Sequence, residues 1–314
     1  MDFPAAPKPG RRVSLGAAAV LAGFLLLAAP LFVLAPFVLL TLLARPRTGR
    51  ELFWLVAAGV GLGLTFSGPH PLGVEFLWAS GLVLAAVFAA LSFRPQAPAF
   101  GRALLAVLIT CLAVFLWEWS RGVSWPDLQQ AFTSMLREAY QTMAGPSGNS
   151  PGPKPDVRNV LQSFSDAAPQ LARALPGVLA LEGLAGVLLA WDWHHRIAAQ
   201  PLGATPGRFR GFRFNDHLVW GAIFTLALLI APVPDEVAAI AENLLILWVG
   251  LYAMRGLAVA AALFGLAPAP LRVLTAAAGI VLFPLGLGVC LALGLADTWL
   301  DLRARLAPRA PGGI

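Results

Sequence analysis

The sequence predicts an all-α fold, a polytopic transmembrane helix bundle of about 8–10 spans with an N-terminal helical hairpin and an extracytoplasmic amphipathic helix pair. Three observations carry that expectation. The chain is 58% apolar and only 12% charged, where soluble domains carry about 25% charge. Its uncharged stretches are long enough to cross a bilayer. Its cations gather in alternate short loops. No soluble core of 314 residues hides that much apolar surface, because single cores stop growing near this size.

The net charge is +6, and 20 of the 22 cations are Arg. They flank apolar runs instead of forming a basic patch, which excludes a nucleic-acid partner and reads as membrane orientation. Cys111 and Cys290 each lie inside an apolar run, so neither a disulfide framework nor a Cys-based metal site is expected. The Ala-, Gly-, Pro- and Arg-rich composition, with two Lys, points to a GC-rich bacterium and its inner membrane.

Residues 1–12, with Lys8, Arg11 and Arg12, form a basic cytoplasmic tail. The uncharged run 13–44 is too long for a signal peptide's apolar region of about 7–15 residues. As one helix it would be about 48 Å long against a hydrocarbon layer of about 30 Å. Pro30 and Pro36 therefore predict a hairpin turning near Ala29–Pro36. Apolar stretches follow at 52–74, 76–93 and 103–117, completing an N-terminal membrane region over 13–120. A C-terminal membrane region over 174–300 holds 174–191, 218–234, 237–254 and 256–296, before a tail at 301–314. With the N-terminus cytoplasmic, loops 45–50, 94–102 and 192–217 fall inside and hold nine Arg, while 68–73 and 232–236 hold no cation. Seven of the ten Trp lie near span ends: Trp54, Trp117, Trp119, Trp191, Trp193, Trp220 and Trp299. The run 256–296 contains Pro268, Pro270, Arg272 and Pro284 and reads as two short spans that return Arg303, Arg305 and Arg309 to the inside.

Residues 121–173 form the one substantial segment outside the spans. Leu128, Phe132, Met135, Leu136, Ala139 and Met143 make one helical stripe, with Gln129, Gln130, Arg137 and Glu138 opposite. After a Gly/Pro/Ser linker at 145–155, Val157, Val160, Leu161, Phe164 and Leu171 repeat the pattern. Two amphipathic helices lying on the outer membrane surface are expected.

Nucleotide-binding and hydrolase signatures are absent, so no catalytic residue, cofactor or enzymatic activity is predicted. Charges within spans are the informative residues, because an ionised group in hydrocarbon is costly. Glu182 sits mid-span, with Gly183 and Gly186 allowing a neighbouring helix to approach. Glu242 and Asn243 open the 237–254 span, and Arg255 closes it. These four residues are either a polar site for a small-molecule ligand between helices or interhelical bonds that fix packing. Glu75, near His70, is placed at the interface. The cluster Trp191-Asp192-Trp193-His194-His195-Arg196 is read as a membrane-surface belt in preference to a metal site, because adjacent His on a helix diverge by about 100°. Asn215 or Asp216 caps the span that follows, and Asp301 can pair with Arg305 at i, i+4. Asp297, Trp299 and Asp301 mark the closing membrane border.

The segments Phe212-Arg213-Phe214-Asn215-Asp216-His217-Leu218-Val219-Trp220, Glu242-Asn243-Leu244-Leu245 with Leu251 to Val259, and Gly294 to Arg303 together resemble the YybS-like family of bacterial polytopic membrane proteins. That family departs from this chain at Arg255, where a Gln is expected. The architecture is also distantly similar to the substrate-binding membrane subunits of energy-coupling-factor transporters, with which the small-residue spacing of Ala18 and Ala22 is compatible. The resemblance implies a topology and no activity. Two functions remain: a non-enzymatic scaffold or regulatory partner for another membrane protein, and a solute-binding component energised by a separate ATPase.

Overall fold

The computed structural model describes residues 14–67, 70–93, 98–144, 155–264, Pro268 and 283–306. The chain divides into two compact units, Met1–Pro206 and Gly207–Ile314. All regular structure among the described residues is helical. The expected tail cations Lys8, Arg11, Arg12 and Arg309, the linker before Pro155, and the region of Pro270 and Arg272 lie outside the described residues.

The first unit contains α1 (Leu15–Leu27), α2 (Leu31–Leu43), α3 (Gly49–Thr65), α4 (Leu72–Ser92), α5 (Ala99–Ser120), α6 (Trp125–Ala144) and α7 (Pro155–Ile197). Helix α2 packs against α3, α4 and α7. The hairpin turns at Ala28–Pro30, earlier than expected, and Pro36 stays inside α2. Pro36 has no N–H to donate to the carbonyl four residues back, so the Phe32 oxygen is left for another contact. Gly186 of α7 lies against it, and a Cβ at Gly186 would fall 2.7 Å from that oxygen. Glycine on one helix thus absorbs the proline of the other. At 13 residues each, α1 and α2 are only about 20 Å long. Their turn lies against α7, where the Glu182 carboxylate accepts the Ala29 N–H at 3.4 Å.

Helix α3 begins with a capping box. The Thr48 hydroxyl accepts from the Glu51 N–H, and the Glu51 carboxylate accepts from the Thr48 N–H at 2.7 Å. At the opposite ends of α4 and α5, Arg121 pairs with Glu75 at 3.2 Å and lies 3.7 Å from Glu118. Glu75 therefore has an ionic partner at a helix end.

Two expected elements prove to be one. The second amphipathic segment and the span 174–191 form the continuous 43-residue α7, which passes through Pro169 and Pro176. The sequence boundary at 173/174 therefore falls within a helix, and the compact units divide at 206/207 instead. Helix α6 packs along α7: Leu128 and Phe132 bury against Ala172, and Tyr140 stacks on Phe164 at 5.4 Å. Burial of that apolar stripe outweighs the kink that proline favours. At about 65 Å, α7 is twice the thickness of the hydrocarbon layer. The α6–α7 pair is thus a packed helical hairpin and not two helices lying separately on a surface.

The second unit contains two single-turn 3₁₀ helices, Phe209–Gly211 and Asp216–Leu218, followed by α8 (Val219–Ile230), α9 (Asp235–Phe264), α10 (Phe283–Leu300) and α11 (Leu302–Leu306). Helix α9 runs through Arg255 and absorbs the start of the 256–296 run, so that run is divided between α9 and α10. Among the described residues, α4, α5, α7 and α9 are long and apolar enough to cross a membrane. Helices α1, α2, α8 and α10 are shorter and apolar.

Candidate functional site

The crossing of α9 and α10 places the charged residues of the second unit. Gly256 and Gly294 meet backbone to backbone: a Cβ on Gly256 would strike the Cys290 carbonyl oxygen, and one on Gly294 the Tyr252 oxygen. Only glycine permits this approach. It brings Arg255 beside Asp297, 42 residues later, and both side chains are 0% exposed.

Arg255 uses every arm of its guanidinium. Nε donates to Asp297 Oδ2 at 2.9 Å, Nη2 to the Asp297 carbonyl at 3.1 Å, and Nη1 to Asp216 Oδ1 at 2.6 Å. Its cation lies 5.3 Å from the Phe214 ring, which packs edge-on against Tyr252 at 5.2 Å. Arg303 adds a second cation on Asp297 Oδ2 at 2.7 Å and donates to the Phe212 carbonyl at 2.9 Å. Arg213 bridges Asp301 at 3.2 Å and Asp216 at 3.5 Å. Burial pulls the Arg213 pKa down, but bonding to Asp301 and the surrounding aspartates outweigh it and raise the value above that of free Arg. Three cations thus face three carboxylates, and the network is formally neutral.

This network joins all three segments that carry the family resemblance. Asn215 caps the turn at Asp216 by accepting the His217 N–H at 3.0 Å. Asp216, Asp297 and Asp301 are ion-pair acceptors within the network, while Trp299 is 65% exposed beside it. The same contacts put Arg303 at the end of the unit that holds Arg210, Phe212 and Arg213.

Of the remaining expected residues, Asn243 donates back to the Ala239 carbonyl at 2.8 Å within α9, and Glu242 is half-buried beside it. Glu182 belongs to the first unit and bonds the hairpin turn. Neither unit by itself assembles Glu182, Glu242 and Asn243. The first unit has an apolar recess between α2, α4, α5 and α7, lined by Phe32, Phe76, Leu84, Val107, Thr110 and Leu179.

The Trp-His segment differs from the expected surface belt. It ends α7 inside the bundle, where Trp191, Trp193, His194 and His195 are all buried. Packing against α2, α3 and the loop after α7 covers it, a relation no local pattern reveals. Trp117, Trp119, Trp220 and Trp299 are exposed, as an interfacial position requires. Among the described residues no three His, Cys, Asp or Glu side chains are arranged to hold a metal. Glu51 was not singled out in the sequence, although Thr48-x-x-Glu51 is a capping-box signature. Its carboxylate also accepts the Ala199 N–H at 2.7 Å, tying the start of α3 to the end of α7. Burial pushes its pKa up, but the amides of Ala199, Arg47 and Thr48 and the Thr48 hydroxyl hold it at about 2.

Apolar helices of spanning length, with charges withdrawn into pairs, define a polytopic α-helical membrane protein. The chain belongs to the DUF2232 family, described as a predicted membrane protein, whose pattern matches residues 15–298. Comparison with curated proteins and with solved structures returns no match.

Proposed function

We propose that this protein is a non-enzymatic scaffold or regulatory partner in the bacterial inner membrane, with its N-terminus and Arg-bearing loops on the cytoplasmic side. The observation that carries this reading is the paired, formally neutral ion network of the second unit. Arg255 and Asp297 are fully buried and spend their charges on each other and on Asp216 and Arg303. A transport site keeps polar groups facing a water-filled path, whereas a neutral network centred on a fully buried Arg255–Asp297 pair rigidifies a bundle that other proteins can grip.

A second reading is a solute-binding component with a separate ATPase, in line with the distant likeness to energy-coupling-factor subunits. The recess bounded by Phe32 and Leu179 favours it. Affinity purification from native membranes separates the two. Co-purifying envelope-assembly proteins support the scaffold, and a stoichiometric ATPase pair refutes it in favour of transport. Topology reporters fused after residues 50 and 213 should both map to the cytoplasm; opposite sides would refute the orientation.

A further inference from the structure

Among the described residues, the first unit buries a cation that lacks a counter-charge. Arg102, one turn into α5, is 4% exposed. Its guanidinium donates to the Ser92 carbonyl at 3.5 Å and lies 4.6 Å over the Trp191 ring, while Nε has no acceptor. Two acids that act on the neighbouring histidines are engaged elsewhere. Glu51 is held by backbone amides, and Asp192 pairs with Arg196 at 2.6 Å. The C-terminal carbonyls of α4 and the indole face supply only partial negative charge.

Further donors end unmet around the same indole. Trp191 Nε1 is buried without an acceptor. His194 accepts the Leu202 N–H on Nε2 at 3.3 Å, which assigns the proton of the neutral ring to Nδ1, also buried and unmet. His195 donates from Nδ1 to the Trp191 carbonyl at 2.9 Å. The Trp191 ring centroid lies 4.5 Å from that of His195 and 6.4 Å from that of His194. The loop after α7 closes over the indole through Gly203, at φ +67. Gly203, Ala204 and Thr205 are exposed on its outer side, so the way in runs past this loop.

We propose that Arg102, with the N–H groups of Trp191 and His194, binds a phosphate group, supplied by a phospholipid headgroup or by free phosphate. Most buried polar groups in native proteins are satisfied, and a buried cation with no carboxylate, beside the unmet N–H groups of Trp191 and His194, is completed by an anion. Arg102 sits about 5 Å inside the end of its helix, the depth of the headgroup border. The loop over Trp191 parts to admit the anion, and the guanidinium meets two phosphate oxygens in its fork.

The test uses the full-length protein, delipidated in neutral detergent. The probes are phosphatidylglycerol, inorganic phosphate and a phosphate-free galactolipid, read by thermal midpoint and native mass spectrometry. Phosphatidylglycerol or phosphate should raise the midpoint where the galactolipid does not. Response to the lipid alone assigns the headgroup, and response to both assigns a free anion. Arg102→Gln should weaken binding at least about tenfold, and Trp191→Phe, which keeps the ring packing, about threefold or more. No response beyond the galactolipid overturns the proposal, as does undiminished affinity in either variant. Should Arg102→Gln fail to fold, Trp191→Phe and His194→Phe decide on the same terms.

Discussion

Replacing Arg255 by Met tests the ion network most directly. The substitution keeps much of the side-chain volume but strips Asp297, itself fully buried, of the cation bonded to its carboxylate and its carbonyl. Removing one partner of a buried pair costs about 3–5 kcal/mol. Arg303 remains on Asp297 Oδ2 at 2.7 Å, and Asp216 is 44% exposed and can rehydrate, so less is lost here. The expected cost is about 2–3 kcal/mol. Replacing both partners, Arg255→Met with Asp297→Leu, removes the stranded charge and should recover at least half of that loss. The assay is unfolding by SDS in mixed micelles, followed by circular dichroism, for both single variants and the double. A single variant within about 0.5 kcal/mol of the parent, or a double variant no better than either single, would refute the reasoning.

Other consequences concern backbone contacts and caps. Gly256→Ala or Gly294→Ala forces a methyl into a neighbouring carbonyl. A loss at or above about 3 kcal/mol in the same assay is expected, and near-parental stability would rule out the close crossing. Glu51, held at about 2 against its ordinary 4.5, contributes stability that is complete above about pH 4.5 and is lost as pH falls through about 2. Its carboxylate is covered but shallow, so screening limits the contribution to about 1–2 kcal/mol. Glu51→Gln should flatten the stability profile between those pH values; an unchanged profile contradicts the assignment. Glu182→Gln keeps an oxygen for the Ala29 N–H and should cost less than about 1 kcal/mol, whereas Glu182→Leu strands that amide and should cost about 1–3 kcal/mol in thermal unfolding. Equal stability of the two variants would show that the bond does not hold the turn. Loss of ligand retention in Glu182→Gln at normal expression would favour the transport reading.

Much of the fold was written in local patterns. Spans, the exposed Trp at positions 117, 119, 220 and 299, and the stripe of Leu128, Phe132 and Met135 depend on hydropathy and helical period, which act over a few residues. Gly183 and Gly186 were legible as approach points, and the structure brings α2 to them. The prolines misled. Pro36 read as a break, yet it stays within α2, and α7 runs through Pro169 and Pro176 in the same way. The cost of a missing hydrogen bond is local, while the packing that offsets it comes from Gly186 for Pro36, or from Leu128 and Phe132 for α7, far along the chain. The candidate residues followed the same division. Each charge was visible by itself as an expense in hydrocarbon, but its partner was not.

The sequence alone determined that this chain dissolves in a bilayer as helices, because the solvent preference of each stretch is a sum over its own residues. Only the tertiary structure decided that Arg255 meets Asp297 and Asp216, that Trp191 and the two histidines turn inward, and that α7 continues through its prolines. Those outcomes depend on which helix faces lie against each other. That choice is set by close contacts between residues tens of positions apart, such as Gly256 with Gly294.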